Sequence, residues 1–204
     1  MDPIEAVMTV AVAVAGVAAN GGQLRRLRRH GNAGVSAWTW TLIATGGFAW
    51  AVDLAMRGLW ATAGIDLVLG SIAAVVALRA EGARIGRQAT VAAAVVAAVA
   101  LAGSVSLAWA AVVVGVVTVA MYTPQFVSGV RRAGGGASLE GVSVQTWVLN
   151  AGISMLWLGW SLASDVPHGV IANLILAAMA VTVAVVTARA QRGRATLAVG
   201  GEAA

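Results

Sequence analysis

Apolar residues run through this chain in long blocks, separated by short arginine clusters and by breaks at glycine or proline. Between those breaks the pattern predicts helices near residues 4–22, 35–56, 59–79, 89–103, 105–127, 142–163 and 168–188. Blocks of roughly 20 apolar residues are what a helix needs to cross a bilayer. The stretch from Gln88 to Val127 carries no charge and is too long for a single crossing, so it is divided at Gly103-Ser104.

Composition agrees with a membrane chain. Of the 204 residues, 60% are hydrophobic and only 10% charged, which is too little polar surface for a soluble domain. Mean hydropathy is +0.88. Cysteine is absent, which excludes disulfides and thiolate metal sites. The 13 basic residues are all arginine, and the pI of about 11.5 is that of a nucleic-acid binder. Their position between apolar blocks instead points to membrane orientation.

With seven crossings, Arg25, Arg26, Arg28 and Arg29 share one side with Arg79, Arg84, Arg87, Arg131, Arg132, Arg189, Arg192 and Arg194, and Arg57 alone faces the other. The positive-inside rule then puts the N-terminus outside and the C-terminus in the cytoplasm. A single crossing over Gln88–Val127 would destroy that asymmetry. The acidic Asp2 and Glu5 before the first block differ from the basic start of a signal peptide, so this block is read as a retained helix. The wealth of Ala, Val, Gly and Arg suggests a GC-rich bacterial genome, hence a bacterial inner membrane.

The chain also repeats itself. Gly34-Val35-Ser36 leads to Thr39-Trp40-Thr41-Leu42, and 107 residues on (34 to 141) Gly141-Val142-Ser143 leads to Thr146-Trp147-Val148-Leu149. Duplication in an apolar chain points to a transporter built from two copies of a helical bundle. Three crossings leave the chain on the opposite side, so a fourth helix must return it before the second triple can run parallel to the first. The expected fold is thus an all-α membrane protein whose seven transmembrane helices form two parallel three-helix bundles joined by a linker helix. The first repeat covers residues 1–80, the linker 81–104, the second repeat 105–190, and a disordered cytoplasmic tail 191–204.

At the cytoplasmic end of the fifth helix stands Tyr122-Thr123-Pro124-Gln125, followed by Arg131-Arg132, a glycine-rich loop and Gly141-Val142-Ser143. This resembles the PQ-loop proteins, whose 3+1+3 members include the SWEET sugar transporters. The first copy departs from the motif: Asn20-Gly21-Gly22-Gln23 keeps the glutamine but has glycine where proline is expected. Pro124 removes a backbone hydrogen bond and crowds the preceding turn, and Gly22 loosens a helix through backbone freedom. Both are read as hinges of an inner gate that also includes Gln23, Tyr122 and Gln125.

The 107-residue offset also places Trp50 on Trp157 and Asp66 on Asn173. Each tryptophan precedes its polar partner by 16 residues, across a short turn, which can bring the two to similar depth on antiparallel helices. Sugars stack on indole and hydrogen-bond to amides or carboxylates. The SWEET resemblance implies a pocket of this kind, with a Trp and an Asn from each repeat, carried here by Trp50, Trp157 and Asn173. Asp66 is an acid where that family has an amide. A charge at mid-membrane costs about 2.5–3.5 kcal/mol, so Asp66 should face a wet cavity, pair with a cation or be protonated, which raises proton coupling or recognition of a basic group. Asn150 is a secondary pocket candidate, or a helix-packing amide.

Other residues read structurally. Asp53 has Arg57 at i+4, an ion-pair spacing. Trp38, Trp40, Trp60, Trp109 and Trp160 lie near helix ends and suit the interfacial aromatic belt, while Trp147 pairs with Trp40 as a repeat packing position. His30 and His168 are far apart and predict no metal site. Gly134-Gly135-Gly136 lacks the Lys-Ser/Thr of a phosphate loop. No catalytic constellation is visible, so an enzyme is not expected, nor a cofactor or a nucleic-acid partner.

The expected function is transport of a small polar solute across the bilayer, a sugar first and an amino acid second. A non-transporting membrane receptor or accessory protein is the rival. Solute identity, direction of flux and oligomeric state stay open.

Overall fold

In hydrocarbon every backbone N–H and C=O needs a partner within the protein, which favours long helices wherever the sequence tolerates them. The three prolines tolerate them too: Pro3 and Pro167 each begin a helix and Pro124 is the second residue of one, positions whose N–H has no intrahelical acceptor. The structure, a computed structural model, describes residues 3–32, 35–80, 83–134, 139, 141–163 and 167–201. Gly34, Gly135 and Gly136 lie outside the described residues, as does the side chain of His168.

The described chain is all-helical. Its elements are α1 (Pro3–His30), α2 (Ala37–Met56), α3 (Trp60–Arg79), α4 (Ile85–Val105), α5 (Leu107–Ala120), α6 (Thr123–Gly134), α7 (Val144–Ala163) and α8 (Pro167–Gly201). Five stretches are long and apolar enough to cross a membrane: α1, α3, α4, α5 with α6, and α8. That is the content of a multi-pass membrane protein. α2 and α7, at 20 residues each, have the length but are more polar, and they bury Thr41, Thr45 and Asp53, or Thr146, Asn150 and Ser154, inside the protein.

Boundaries differ from the sequence pattern in four places. α1 does not end near residue 22 but continues to His30, because the segment after Gly22 contains no proline to stop it. The division between α4 and α5 falls at Ser106 rather than Gly103-Ser104, because the Ser106 hydroxyl caps α5 by accepting from the Trp109 N–H at 3.3 Å. The predicted fifth helix is broken at Met121-Tyr122, where the next helix begins one residue before Pro124. α8 runs on as helix to Gly201, where a disordered tail was expected from residue 191; the segment contains no proline to stop it.

Packing uses the same arrangement twice. α3 lies along both α1 and α2, and α8 lies along both α5 and α7. Between these groups α1 packs on α7 and α2 on α5, while α4 rests on α2 and α5. α2 and α3 approach so closely that a Cβ on Gly47 would stand 2.9 Å from Gly70 Cα and 3.0 Å from Asp66 O. The turn joining them passes through Gly58 at φ 79°, a conformation glycine adopts without steric cost.

The tryptophans divide between core and surface. Trp60 and Trp109 are exposed, as an aromatic belt requires, and Trp38 sits under the Arg87 guanidinium at 5.0 Å. Trp40 and Trp160 are instead buried. Trp40 shares a core with Trp147, and Trp160 packs with Leu54, Ala63 and Trp157. Nearness to a helix end sets depth along the membrane normal and leaves open which way a ring faces.

Candidate functional site

The repeated Gly-Val-Ser phrase first acts locally. The hydroxyls of Ser36 and Ser143 accept from the N–H of Thr39 and Thr146, at 3.2 and 3.1 Å, and so cap α2 and α7. Each phrase is also gripped by a glutamine from the other half of the chain. Gln23 of α1 donates through Nε2 to Gly141 O at 2.9 Å and accepts at Oε1 from the Ser143 N–H at 3.1 Å. Gln125 of α6 accepts at Oε1 from the Ser36 N–H at 3.0 Å. Both glutamines are 1% exposed, so each amide is held where water cannot replace its partners.

This layer is extended by Gln191, whose Nε2 lies 3.0 Å from both Leu139 O and Val142 O, and by Thr146 Oγ1, which donates to Ala19 O at 3.0 Å. It joins the C-terminal halves of α1 and α8 and the start of α6 to the starts of α2 and α7. At the opposite end, Asp53 and Arg57 form the ion pair that their spacing predicted, at 2.8 and 3.1 Å. Arg57 Nη2 also donates to Leu107 O at 3.1 Å, fastening the end of α2 to the start of α5.

Between the two ends lies a cavity of about 100 Å³, room for several waters. All five residues singled out for the solute site line it: Trp50, Asp66, Asn150, Trp157 and Asn173. The two indoles are stacked nearly parallel, with centroids 6.4 Å apart and planes 13° from parallel. Trp50 Nε1 donates to Thr118 Oγ1 at 2.8 Å, and Thr118 in turn donates to Val114 O at 2.7 Å, which holds that ring against α5. Trp157 is braced edge-on by Trp160 at 5.3 Å. Since the rings stack on each other, they do not flank a sugar-width gap in this conformation.

The polar wall is less satisfied. Asp66 is 7% exposed and its Oδ2 has no hydrogen-bond partner; Asn150, also 7% exposed, has an unpartnered Nδ2. Both line the cavity. Asn173 Nδ2 donates to Gly169 O at 2.8 Å. No arginine lines the cavity.

Of the expected gate residues, Tyr122 lines the cavity and stands edge-on to Trp147 at 4.9 Å. Pro124 follows the α5–α6 break. Gly22 behaves differently: α1 is continuous through it, and a Cβ there would meet Thr146 Oγ1 at an ordinary 3.5 Å.

Sequence reasoning missed Asn20 and Thr118 as cavity residues. Thr118 carried no signal, being one β-branched residue among many. Asn20 lies three residues before Gln23, and a polar residue one turn inside an apolar helix was legible. Among the described residues no group of metal-ligating side chains exists. Comparison of the chain with protein-family models, with curated proteins and with solved structures finds no match.

Proposed function

We propose that this chain is a seven-crossing membrane transporter that moves a small polar solute by alternating access between two pseudo-symmetric three-helix bundles. α1, α2 and α3 form one bundle, α5 with α6, α7 and α8 the other, and α4 is the linker. The observation that carries this is one internal cavity, lined at repeat-related positions by Trp50 with Trp157 and Asp66 with Asn173. It sits between two ends that are each fastened across the two halves, by the glutamine grips at one and by Arg57 to Leu107 O at the other.

Alternating access then means releasing one fastening while the other holds. The break before Pro124 provides a flexible point beside Gln125, and Gly22 gives α1 a softer counterpart. The PQ-loop resemblance at Tyr122-Thr123-Pro124-Gln125 supports the same reading, as does the Gly-Val-Ser phrase that each glutamine holds. The glutamine end, close to the arginine clusters, is the cytoplasmic one under the positive-inside rule, in a bacterial inner membrane with the N-terminus outside.

Sugars and amino compounds are the two solute classes that an indole, amide and carboxylate lining admits. Uptake into proteoliposomes by a panel of both tests the reading. Transport is expected for the unmodified protein and a loss of about tenfold or more for Trp157→Ala and Asn173→Ala. Absence of any uptake, with loop substitutions disturbing function more than cavity ones, would favour a receptor or accessory role.

A further inference from the structure

The charge balance of the cavity selects between those classes. Asn20 and Asn173, both cavity-lining, each donate a side-chain N–H to a helix carbonyl, to Leu69 O at 3.5 Å and Gly169 O at 2.8 Å. A carbonyl can accept only from the nitrogen side of an amide, so these contacts set which way each amide faces and leave its oxygen and its second N–H as the remaining groups. Asp66 adds a carboxylate whose Oδ2 has no partner. Three helices, α1, α3 and α8, therefore present acceptor oxygens.

The Trp50 N–H bonds Thr118, and the hydroxyls of Thr118 and Ser154 donate to Val114 O and Asn150 O. Asn150 Nδ2 is a donor without a partner. The lining thus holds one carboxylate without a partner on Oδ2 and no cationic side chain.

We propose that the cavity takes a small organic amine, a solute bearing an ammonium group and no carboxylate, an assignment that rests on reading this cavity as the transported solute's site. An ammonium supplies three donors and the charge that Asp66 lacks. The indole walls suit a cation as well. A neutral polyol supplies no counter-charge, so the buried acid would have to sit protonated beside it. An amino acid would bring a second carboxylate beside Asp66 with no arginine to offset it. A hydroxyl elsewhere on the amine would give Asn150 Nδ2 its acceptor.

The test uses 2-aminoethanol as probe, with ethylene glycol, glucose and L-serine for comparison, at constant ionic strength set with sodium chloride. Thermal unfolding of the purified full chain in detergent reports binding. Saturable stabilisation by 2-aminoethanol alone is expected, with half-saturation shifted about tenfold or more upward in Asp66→Asn, the loss typical of a hydrogen bond to a buried charge. The ligand series on the unmodified protein decides even if Asp66→Asn does not fold.

Stabilisation by glucose, ethylene glycol or serine equal to that by 2-aminoethanol would overturn the assignment, as would no stabilisation at all, or an equal effect from sodium ions. Unchanged amine binding in Asp66→Asn would overturn it too. Proteoliposomes separate the two levels: uptake of glucose or serine without amine binding removes the amine and keeps transport, whereas amine binding without uptake keeps the amine and removes transport.

Discussion

Gln23 and Ser143 stand 120 residues apart in the chain and are joined by a hydrogen bond of 3.1 Å from the Ser143 N–H to Gln23 Oε1. The same amide donates to Gly141 O, so one side chain closes a two-point grip across the two halves. Because Ser143 also caps α7, the residue that starts a helix is the one that docks it.

Gln23→Leu should loosen the glutamine end without unfolding the helices. Two buried hydrogen bonds at roughly 1 kcal/mol each correspond to labelling raised by about tenfold or more at a cysteine placed at Val142, which is 1% exposed. The chain has no native cysteine, so Val142→Cys reports alone. Equal labelling rates with and without Gln23→Leu would show that the grip does not hold this end shut.

The two partners of the other end should not be equivalent. Asp53 is 0% exposed, whereas the Arg57 side chain is 26% exposed. Arg57→Ala strands a buried carboxylate and should cost roughly 3–5 kcal/mol. Asp53→Asn leaves an arginine that can reach water, and should cost less. Denaturation midpoints of the two variants check the order, and the reverse order would contradict it.

Gly47→Ala should destabilise by about 1–3 kcal/mol, the range for overpacking a tight contact, because its Cβ would meet backbone of α3 rather than a movable side chain. Gly152→Ala, where a Cβ would meet nothing within 4 Å, should be neutral or slightly stabilising through helix propensity. Thermal unfolding of the pair, side by side, separates packing from propensity.

Pro124→Ala restores an N–H just after the α5–α6 break and should lengthen the continuous helix. If the break is the moving point of the transport cycle, solute uptake should slow severalfold while thermal stability holds or rises. Gly22→Ala should have a smaller effect on stability, since Thr146 Oγ1 is at ordinary contact distance. Uptake rate against unfolding midpoint, measured for each, distinguishes a hinge from a plain helix end.

Hydropathy and the 107-residue register were enough to reach the membrane-length helices, the equivalence of Trp50 with Trp157 and Asp66 with Asn173, and the Asp53–Arg57 pair. These depend on local composition, on duplication or on i+4 spacing, all of which are written along the chain. Which way a side chain turns is not. Trp40 and Trp160 face the core although they lie where belt residues lie. Gln23 and Gln125 each serve the opposite repeat, a relation that a ruler laid within one repeat cannot reveal. The 107 offset places Gln23 on Val130, because the loop before the second phrase is longer. The indoles stack on each other, and the amides of Asn20 and Asn173 turn their nitrogens to helix carbonyls. Those are outcomes of helices packing against one another, where hydrogen-bond partners and ring faces are assigned by neighbours distant in sequence.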